Sequence, residues 1–118
     1  MTRDATLEIS VSELRDRLTA RDEGEDFLIL DVREAFELEI SQLPDIEVAH
    51  VPLDEVFVDS GRRVAQLAAG REVFVLCRSG ARSDQATQFL VENGIPARNI
   101  AGGILAWSAQ IDPSVPIY

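Results

Sequence analysis

The stretch Glu72-Val73-Phe74-Val75-Leu76-Cys77-Arg78-Ser79-Gly80-Ala81-Arg82-Ser83 decides how the chain is read. Its first five residues hold four apolar side chains in a row, with β-branched and aromatic members, and predict a parallel strand buried on both faces. Residues 84–93 follow, with Ala86, Phe89 and Leu90 at helical spacing and Asn93-Gly94 as a stop. They predict a helix with a glycine end. Cys77, the only cysteine of the chain, therefore falls where a strand ends and a short loop turns into a helix N-terminus.

That placement has chemical content. In open α/β sheets, ligands collect outside the carboxyl ends of the strands. A helix N-terminus presents unpaired N–H groups and the positive end of the helix dipole, and successive amides of a tight loop form a nest for an anion. Gly80 and Ala81 leave room for such a turn, and Arg78 and Arg82 add positive charge. A thiol in that setting is expected to ionise readily and act as a nucleophile. A buried, inert Cys77 is the alternative, the common fate of a free cysteine. The glycine, the two arginines and the strand–loop–helix context favour the reactive reading.

Length and composition bound the rest. At 118 residues the chain is expected to form one domain over residues 1–118. Its 46% hydrophobic and 27% charged residues are an ordinary globular mix. No apolar run approaches the ~20 residues of a membrane span. Met1-Thr2-Arg3-Asp4 lacks the basic-then-apolar pattern of a signal peptide, so a cytoplasmic location is expected. One cysteine leaves no internal disulfide, no cysteine-based zinc site and no two-thiol redox mechanism; neither metal nor cofactor is expected. The net charge of −10 is uneven: residues 1–70 carry 7 arginines and 17 acids, residues 71–118 four of each. Nucleic acid and anionic membrane are therefore poor partners, while an anionic substrate at Cys77 is not opposed. All 11 basic residues are arginine, which removes Schiff-base and P-loop lysine chemistry.

Strands and helices alternate along the chain. Glu8-Ile9 is a short first strand, and Ser10-Val11-Ser12-Glu13 has capping-box spacing for a helix with Val11, Leu14 and Leu18 on one face. Residues 21–26 read as a polar loop around Gly24. Phe27-Leu28-Ile29-Leu30 is a second buried strand, ending at Asp31-Val32-Arg33-Glu34. A short helix over 34–40, a strand over 47–51, helical turns over 53–58 and a helix around Val64, Leu67 and Ala68 lead to the central strand. Asn99-Ile100-Ala101 is a fifth strand, and Gly102-Gly103 opens a helix that packs Ile104, Leu105, Trp107 and Ile111. This alternation implies an α/β fold with a parallel sheet covered on both faces.

Other residues invite chemical readings. Asp31 and Arg33 are read in a supporting role, pairing with each other's neighbours and holding loops at the sheet edge, since buried charges persist as pairs. His50, the only histidine, is read as a structural group. Trp107 and Phe89 are read as core. Gly102-Gly103 lacks the further glycine and the lysine or acid of a phosphate cradle, and reads as close packing at a helix start.

Three functional classes fit a strand–cysteine loop–helix unit. A sulfurtransferase would hold a sulfane sulfur on Cys77 as a persulfide, stabilised by the loop amides. A cysteine phosphatase or arsenate reductase would need a cradle for a tetrahedral oxyanion, with five residues between cysteine and arginine; here only residues 78–81 separate Cys77 from Arg82, and Leu76 stands where such enzymes place a histidine. A non-catalytic module of the same fold is the third.

The chain resembles a rhodanese domain over nearly its whole length. The resemblance is carried by three blocks: Phe27-Leu28-Ile29-Leu30-Asp31-Val32-Arg33-Glu34, Val75-Leu76-Cys77-Arg78-Ser79-Gly80-Ala81-Arg82-Ser83 and Ala101-Gly102-Gly103-Ile104-Leu105-Ala106-Trp107. It implies a five-stranded parallel sheet with helices on both faces, an active cysteine after the central strand, and a six-position loop from Cys77 to Arg82 that cups the persulfide. Arg78, Ser79, Gly80, Ala81, Arg82 and Ser83 would form that binding loop.

Two features narrow the resemblance. The glycine–histidine–isoleucine–proline–glycine run of many single-domain rhodaneses is replaced by Ile40-Ser41-Gln42-Leu43-Pro44-Asp45, with a histidine only in Ala49-His50-Val51-Pro52-Leu53. The C-terminal residues 106–118 are also distinctive. Both are similar to the rhodanese domain that ends the ubiquitin-activating-like adenylyltransferase/sulfurtransferases, which pass sulfur to small sulfur-carrier proteins. The implied partners are a small sulfur donor, thiosulfate or a persulfide, and a ubiquitin-like sulfur carrier or an adenylylating enzyme. A monomer is expected.

Overall fold

The computed structural model describes residues 7–21 and 26–118. The readings of Met1-Thr2-Arg3-Asp4 and of the loop centred on Gly24 lie outside the described residues. Five parallel strands, β1 (Glu8–Ile9), β2 (Phe27–Asp31), β3 (Ala49–His50), β4 (Glu72–Leu76) and β5 (Ala97–Ile100), form one sheet in the order β1-β5-β4-β2-β3. Among the described residues, six helices connect and cover them: α1 (Val11–Ala20), α2 (Ala35–Ile40), α3 (Leu53–Val58), α4 (Arg62–Ala68), α5 (Ala81–Glu92) and α6 (Gly103–Gln110).

β4 is central because its side chains are apolar in both directions. Val73, Val75 and Cys77 point into one core layer with Leu30 and Val32. Val56 of α3, Val64 and Ala68 of α4, and Ala86 and Leu90 of α5 close that layer. Phe74 and Leu76 point the other way, with Phe27 and Ile29, into a layer closed by Val11 and Leu14 of α1 and by Ile104 and Trp107 of α6. The period of two along a strand thus serves two cores at once. Phe27 and Phe74 meet across neighbouring strands with ring centroids 4.9 Å apart, and β2 and β4 pair in register from Phe27↔Glu72 to Asp31↔Leu76. Trp107 is buried. Phe89 packs edge-on against Phe57.

Element ends follow local chemistry. The Ser10 hydroxyl accepts the amide of Glu13 at 3.0 Å and starts α1 as its spacing predicts. The third strand is shorter than the predicted 47–51 and keeps only Ala49–His50: it is an edge strand, paired through Leu30↔Ala49 and Asp31↔His50 alone. The helix after the cysteine loop begins at Ala81, three residues before the predicted position. Gly80, at φ 108°, turns the chain so that the loop flows directly into the helix. No helix among the described residues is long and apolar enough to cross a membrane.

The close packing expected at Gly102-Gly103 has a specific partner. The amides of Ile104 and Leu105 donate to the carbonyls of Cys77 and Arg78 at 2.9 and 3.1 Å. The N-terminus of α6 is therefore satisfied by the cysteine loop itself. A Cβ on Gly103 would stand 2.5 Å from both of those carbonyl oxygens, and the residue has φ +61°. Gly103→Ala is therefore expected to lower folding stability by about 2 kcal/mol or more, read as a fall in the denaturation midpoint, whereas Ala65→Gly, at an exposed position of α4, should cost about 1 kcal/mol.

Candidate functional site

Cys77 sits immediately beyond β4, with 1% of its surface exposed. Its sulfur nonetheless faces polar groups. The amide of Gly80 donates to Sγ at 3.0 Å, and the Ser83 hydroxyl oxygen lies 3.1 Å away. The carbonyls of Cys77 and Arg78 are turned toward α6. A trans peptide sets its N–H opposite its C=O, so the amides of Arg78 and Ser79 point away from α6. The first turn of α5 adds the amides of residues 81–83, which have no carbonyl one turn back within the helix. Two carbonyls of the loop thus face α6, and the Gly80 amide faces the sulfur.

Ser83 and Asn99 complete the floor. Ser83 is fully buried and Asn99 nearly so. The Ser83 hydroxyl donates to Asn99 Oδ1 at 2.5 Å, and Asn99 Nδ2 donates to the Gly80 carbonyl at 3.2 Å.

The arginines of the loop are both engaged within the chain. Arg82 forms a two-pronged pair with Glu37 of α2, at 2.7 and 2.8 Å. Arg78 donates through Nε to the backbone oxygen of Tyr118 at 2.6 Å, and its Nη2 donates to the same oxygen. The Tyr118 hydroxyl donates to Glu37 Oε1 at 2.8 Å and accepts from Arg33 Nη1 at 2.9 Å. Arg33 is fully buried and clasps Asp31 with Nε at 3.0 Å to Oδ1 and Nη2 at 2.8 Å to Oδ2. Asp31 and Arg33 therefore pair with each other rather than with each other's neighbours, and their tie to the site runs through Tyr118. His50 Nε2 lies 2.6 Å from the Arg33 carbonyl, a structural contact as read.

This ladder sets the ionisation of its members. Hydrogen bonds from Arg82 outweigh the cost of burial and, with the Glu34 amide and the Tyr118 hydroxyl, hold Glu37 down at about 2, against an ordinary value of 4.5. Arg82 is correspondingly raised, first by Glu37. Burial pushes the Tyr118 phenol up. Burial opposes the charge of Arg33, but Asp31 and Tyr118 overcome it and the net shift is upward. Among the described residues, no group of three or more histidine, cysteine or acidic side chains is placed to hold a metal ion.

The loop residues Arg78, Ser79, Gly80, Ala81, Arg82 and Ser83 are all brought around Cys77. Sequence reading missed Glu37, Asn99 and Tyr118. A signal existed for two of them. An asparagine inside a buried strand such as β5 is out of place unless it serves a neighbour. Glu37 stands three residues after Glu34, and their side chains and backbone amides form a reciprocal cap at the start of α2.

Comparison with known proteins fits this geometry. Residues 10–110 match the model of the rhodanese-like domain family, and the chain belongs to that family. It is 38% identical to the adenylyltransferase and sulfurtransferase MOCS3 of Anopheles gambiae, across 93% of this chain but 26% of that protein. It is 34% identical to the chloroplastic rhodanese-like/PpiC domain-containing protein 12 of Arabidopsis thaliana, across 98% of this chain and 38% of that protein. The chain thus spans well under half the length of these relatives. Among solved structures, a rhodanese-related protein of Thermoplasma volcanium superposes with a TM-score of 0.72 at 26% identity, covering 94% of this chain and 98% of the other. A thiosulfate sulfurtransferase of Pseudomonas aeruginosa superposes with a TM-score of 0.73 at 28% identity, covering 88% of this chain and 19% of its own. The five-stranded parallel sheet and the likeness to the adenylyltransferase/sulfurtransferases are as expected from the three sequence blocks.

The Glu37–Arg82 pair yields a test with a definite sign. Because the folded-state value of Glu37 lies near 2, below its ordinary 4.5, its contribution to stability is complete above about pH 4.5 and is lost as pH falls toward 2. Glu37→Gln is expected to cost about 2 kcal/mol at pH 7, the scale of a charge-assisted hydrogen bond. In urea titrations at successive pH values, the difference between parent and variant should stay flat above pH 4.5 and narrow toward pH 2. A difference independent of pH through that window would show that ionisation of Glu37 is not coupled to folding.

Proposed function

We propose that the chain is a sulfurtransferase domain that carries a sulfane sulfur on Cys77. The observation that supports it most directly is the Gly80 amide donating to Sγ at 3.0 Å, within a loop whose carbonyls are drawn off by α6. Cys77 as the thiolate attacks the outer sulfur of thiosulfate or of a persulfide. The S–S bond of the donor breaks, sulfite or a thiolate departs, and Cys77 keeps the outer sulfur as a persulfide. A nucleophile then removes that sulfur: cyanide in an assay, a thiol or the activated terminus of a carrier protein in the cell. Amides between Arg78 and Ser83 stabilise the charge on the outer sulfur. Arg82, whose side chain keeps 34% exposure beside Glu37, orients an anionic donor at the mouth, and Arg78 holds the tail against the loop.

The name of the mosquito relative joins adenylyl transfer to sulfur transfer, and this chain matches 26% of that protein. We therefore place the acceptor among ubiquitin-like sulfur carriers activated by an adenylylating domain, on the same polypeptide or a separate one. The four-residue spacing between Cys77 and Arg82 favours a single sulfur atom over a phosphate and counts against a phosphatase.

Protein incubated with thiosulfate should gain the mass of one sulfur atom and lose it on reduction, and cyanide should release that sulfur as thiocyanate. Cys77→Ser should keep the fold by circular dichroism and show neither. Sulfur gain by the serine variant equal to that of the parent would sink the assignment, as would phosphate release from an aryl phosphate without sulfur gain. Arg82→Ala should raise the KM for thiosulfate about tenfold, the scale of one charge-assisted contact, with kcat affected less; an unchanged KM would remove Arg82 from donor binding.

A further inference from the structure

The floor of the site carries a polar arrangement that the sulfur-transfer reading leaves unused. Asn99 lies inside β5, 1% exposed, its backbone in register with Val75 of β4 and Glu8 of β1. Its side chain bridges two elements of the cysteine loop. The Gly80 carbonyl can only accept, so the amide nitrogen of Asn99 must face it. Asn99 Oδ1 then faces Ser83 and can itself only accept. At 2.5 Å, the single hydroxyl proton of Ser83 must lie between the two oxygens. Ser83 Oγ is left showing lone pairs to Cys77 Sγ at 3.1 Å. With Ser83 at 0% exposure, water is not at hand to offset that orientation.

We infer that Asn99 is a positioning residue which, through Ser83, turns a lone pair rather than a proton toward Cys77 Sγ and thereby makes the loaded sulfur slow to leave. This rests on Cys77 carrying a persulfide, as proposed above. In the persulfide, Sγ is a neutral, divalent atom and the lone pair of Ser83 opposes nothing. Release changes this: Cys77–S–S⁻ plus an acceptor thiol RSH gives Cys77–S⁻ plus RS–SH, the thiol proton passing to the outer sulfur. A new S–S bond forms at the outer sulfur, the old one breaks, and its electron pair stays on Sγ. Charge therefore builds on Sγ against a hydroxyl whose proton is committed elsewhere, with the Gly80 amide as the donor in place. A less stabilised leaving thiolate departs more slowly. The charged groups around the loop are themselves paired: Arg82 of α5 with Glu37 of α2, Arg78 of the loop with the Tyr118 oxygen, and Asp31 at the end of β2 with Arg33. The pinned hydroxyl acts at the sulfur itself, whereas these pairs act from its periphery. The effect is retention: the cargo waits for an acceptor reactive enough, or docked well enough, to draw it off.

The test loads the full chain with thiosulfate and follows sulfur loss to glutathione by intact mass in a single turnover. Asn99→Leu, which frees the Ser83 proton to turn toward Sγ, should release sulfur about tenfold faster, the scale of one hydrogen bond to a charged atom. Ser83→Ala should also be faster than the parent. In the Ser83→Ala background, Asn99→Leu should add nothing, because its effect runs through the hydroxyl. A parent-like or slower release by Asn99→Leu, or the same acceleration with Ser83 absent, would overturn the inference. Should Asn99→Leu fail to fold, Ser83→Ala decides alone: faster release supports the pinned proton, and unchanged or slower release refutes it. A second readout needs no sulfur. Cys77 is the only cysteine, so far-ultraviolet thiolate absorbance reports it alone, and at neutral pH it should be higher in Asn99→Leu than in the parent; equal absorbance counts against the inference. A parent that gains no sulfur at all would defeat the sulfurtransferase reading while leaving this arm to judge Asn99.

Discussion

The carbonyls of Cys77 and Arg78 accept the amides of Ile104 and Leu105 in the first turn of α6, and the chemistry of the site depends on that exchange. A loop of six positions between a strand and a helix has no fixed polarity of its own; its peptide planes can face either way. Drawing two carbonyls outward turns the neighbouring amides from α6 and keeps those two backbone acceptors away from the sulfur. The same exchange serves α6, whose opening N–H groups would otherwise be buried without partners. Gly103 is the steric condition for it, since any side chain there would occupy the space of those two oxygens.

A second constraint ties the loop to the rest of the sheet end. Asp31, Arg33, Tyr118, Glu37 and Arg82 form a continuous ladder of alternating donors and acceptors. Each charge in it is matched, which is the condition under which burial of ionised groups is tolerated. Tyr118 is the linking member: its hydroxyl joins the two ion pairs and its backbone oxygen holds Arg78. The packing of residues 115–118 is thus part of the site, although it lies far from Cys77 in sequence. Ser41 reinforces it by donating to the Pro116 carbonyl at 2.6 Å.

These two constraints differ in how readable they were. The strand before Cys77, the glycine-dependent turn, the helix after it and the tight helix start at Gly102-Gly103 are local, written in consecutive residues through apolar runs and permissive backbone positions. The partners of the arginines are not. Glu37 lies 45 residues from Arg82, and Tyr118 lies 85 residues from Arg33. A single sequence carries no periodicity that links such pairs, so Arg82 read as free positive charge when it is half of an ion pair. His50, Trp107 and Phe89 were legible as structural because their surroundings were apolar runs and strand ends. Asn99 was missed although its placement in a buried strand was itself a signal.

The commitment of both arginines bears on what the loop is suited to hold. A tetrahedral dianion seated wholly inside the loop calls for guanidinium hydrogen bonds directed inward, as well as room, whereas thiosulfate at the mouth need pass only its outer sulfur into it. Here Arg82 spends its fork on Glu37 and Arg78 spends its own on Tyr118. What remains around the sulfur is the Gly80 amide, the pinned Ser83 hydroxyl and the N-terminal end of α5, partial charges spread around a narrow loop. Such an environment matches a small anion of one charge whose position is set covalently, because the covalent bond supplies the localisation that free guanidinium groups would otherwise have to provide. A single sulfur bonded to Cys77 has those properties and a phosphate does not, so the shortened loop and the paired arginines argue in the same direction from independent physical grounds.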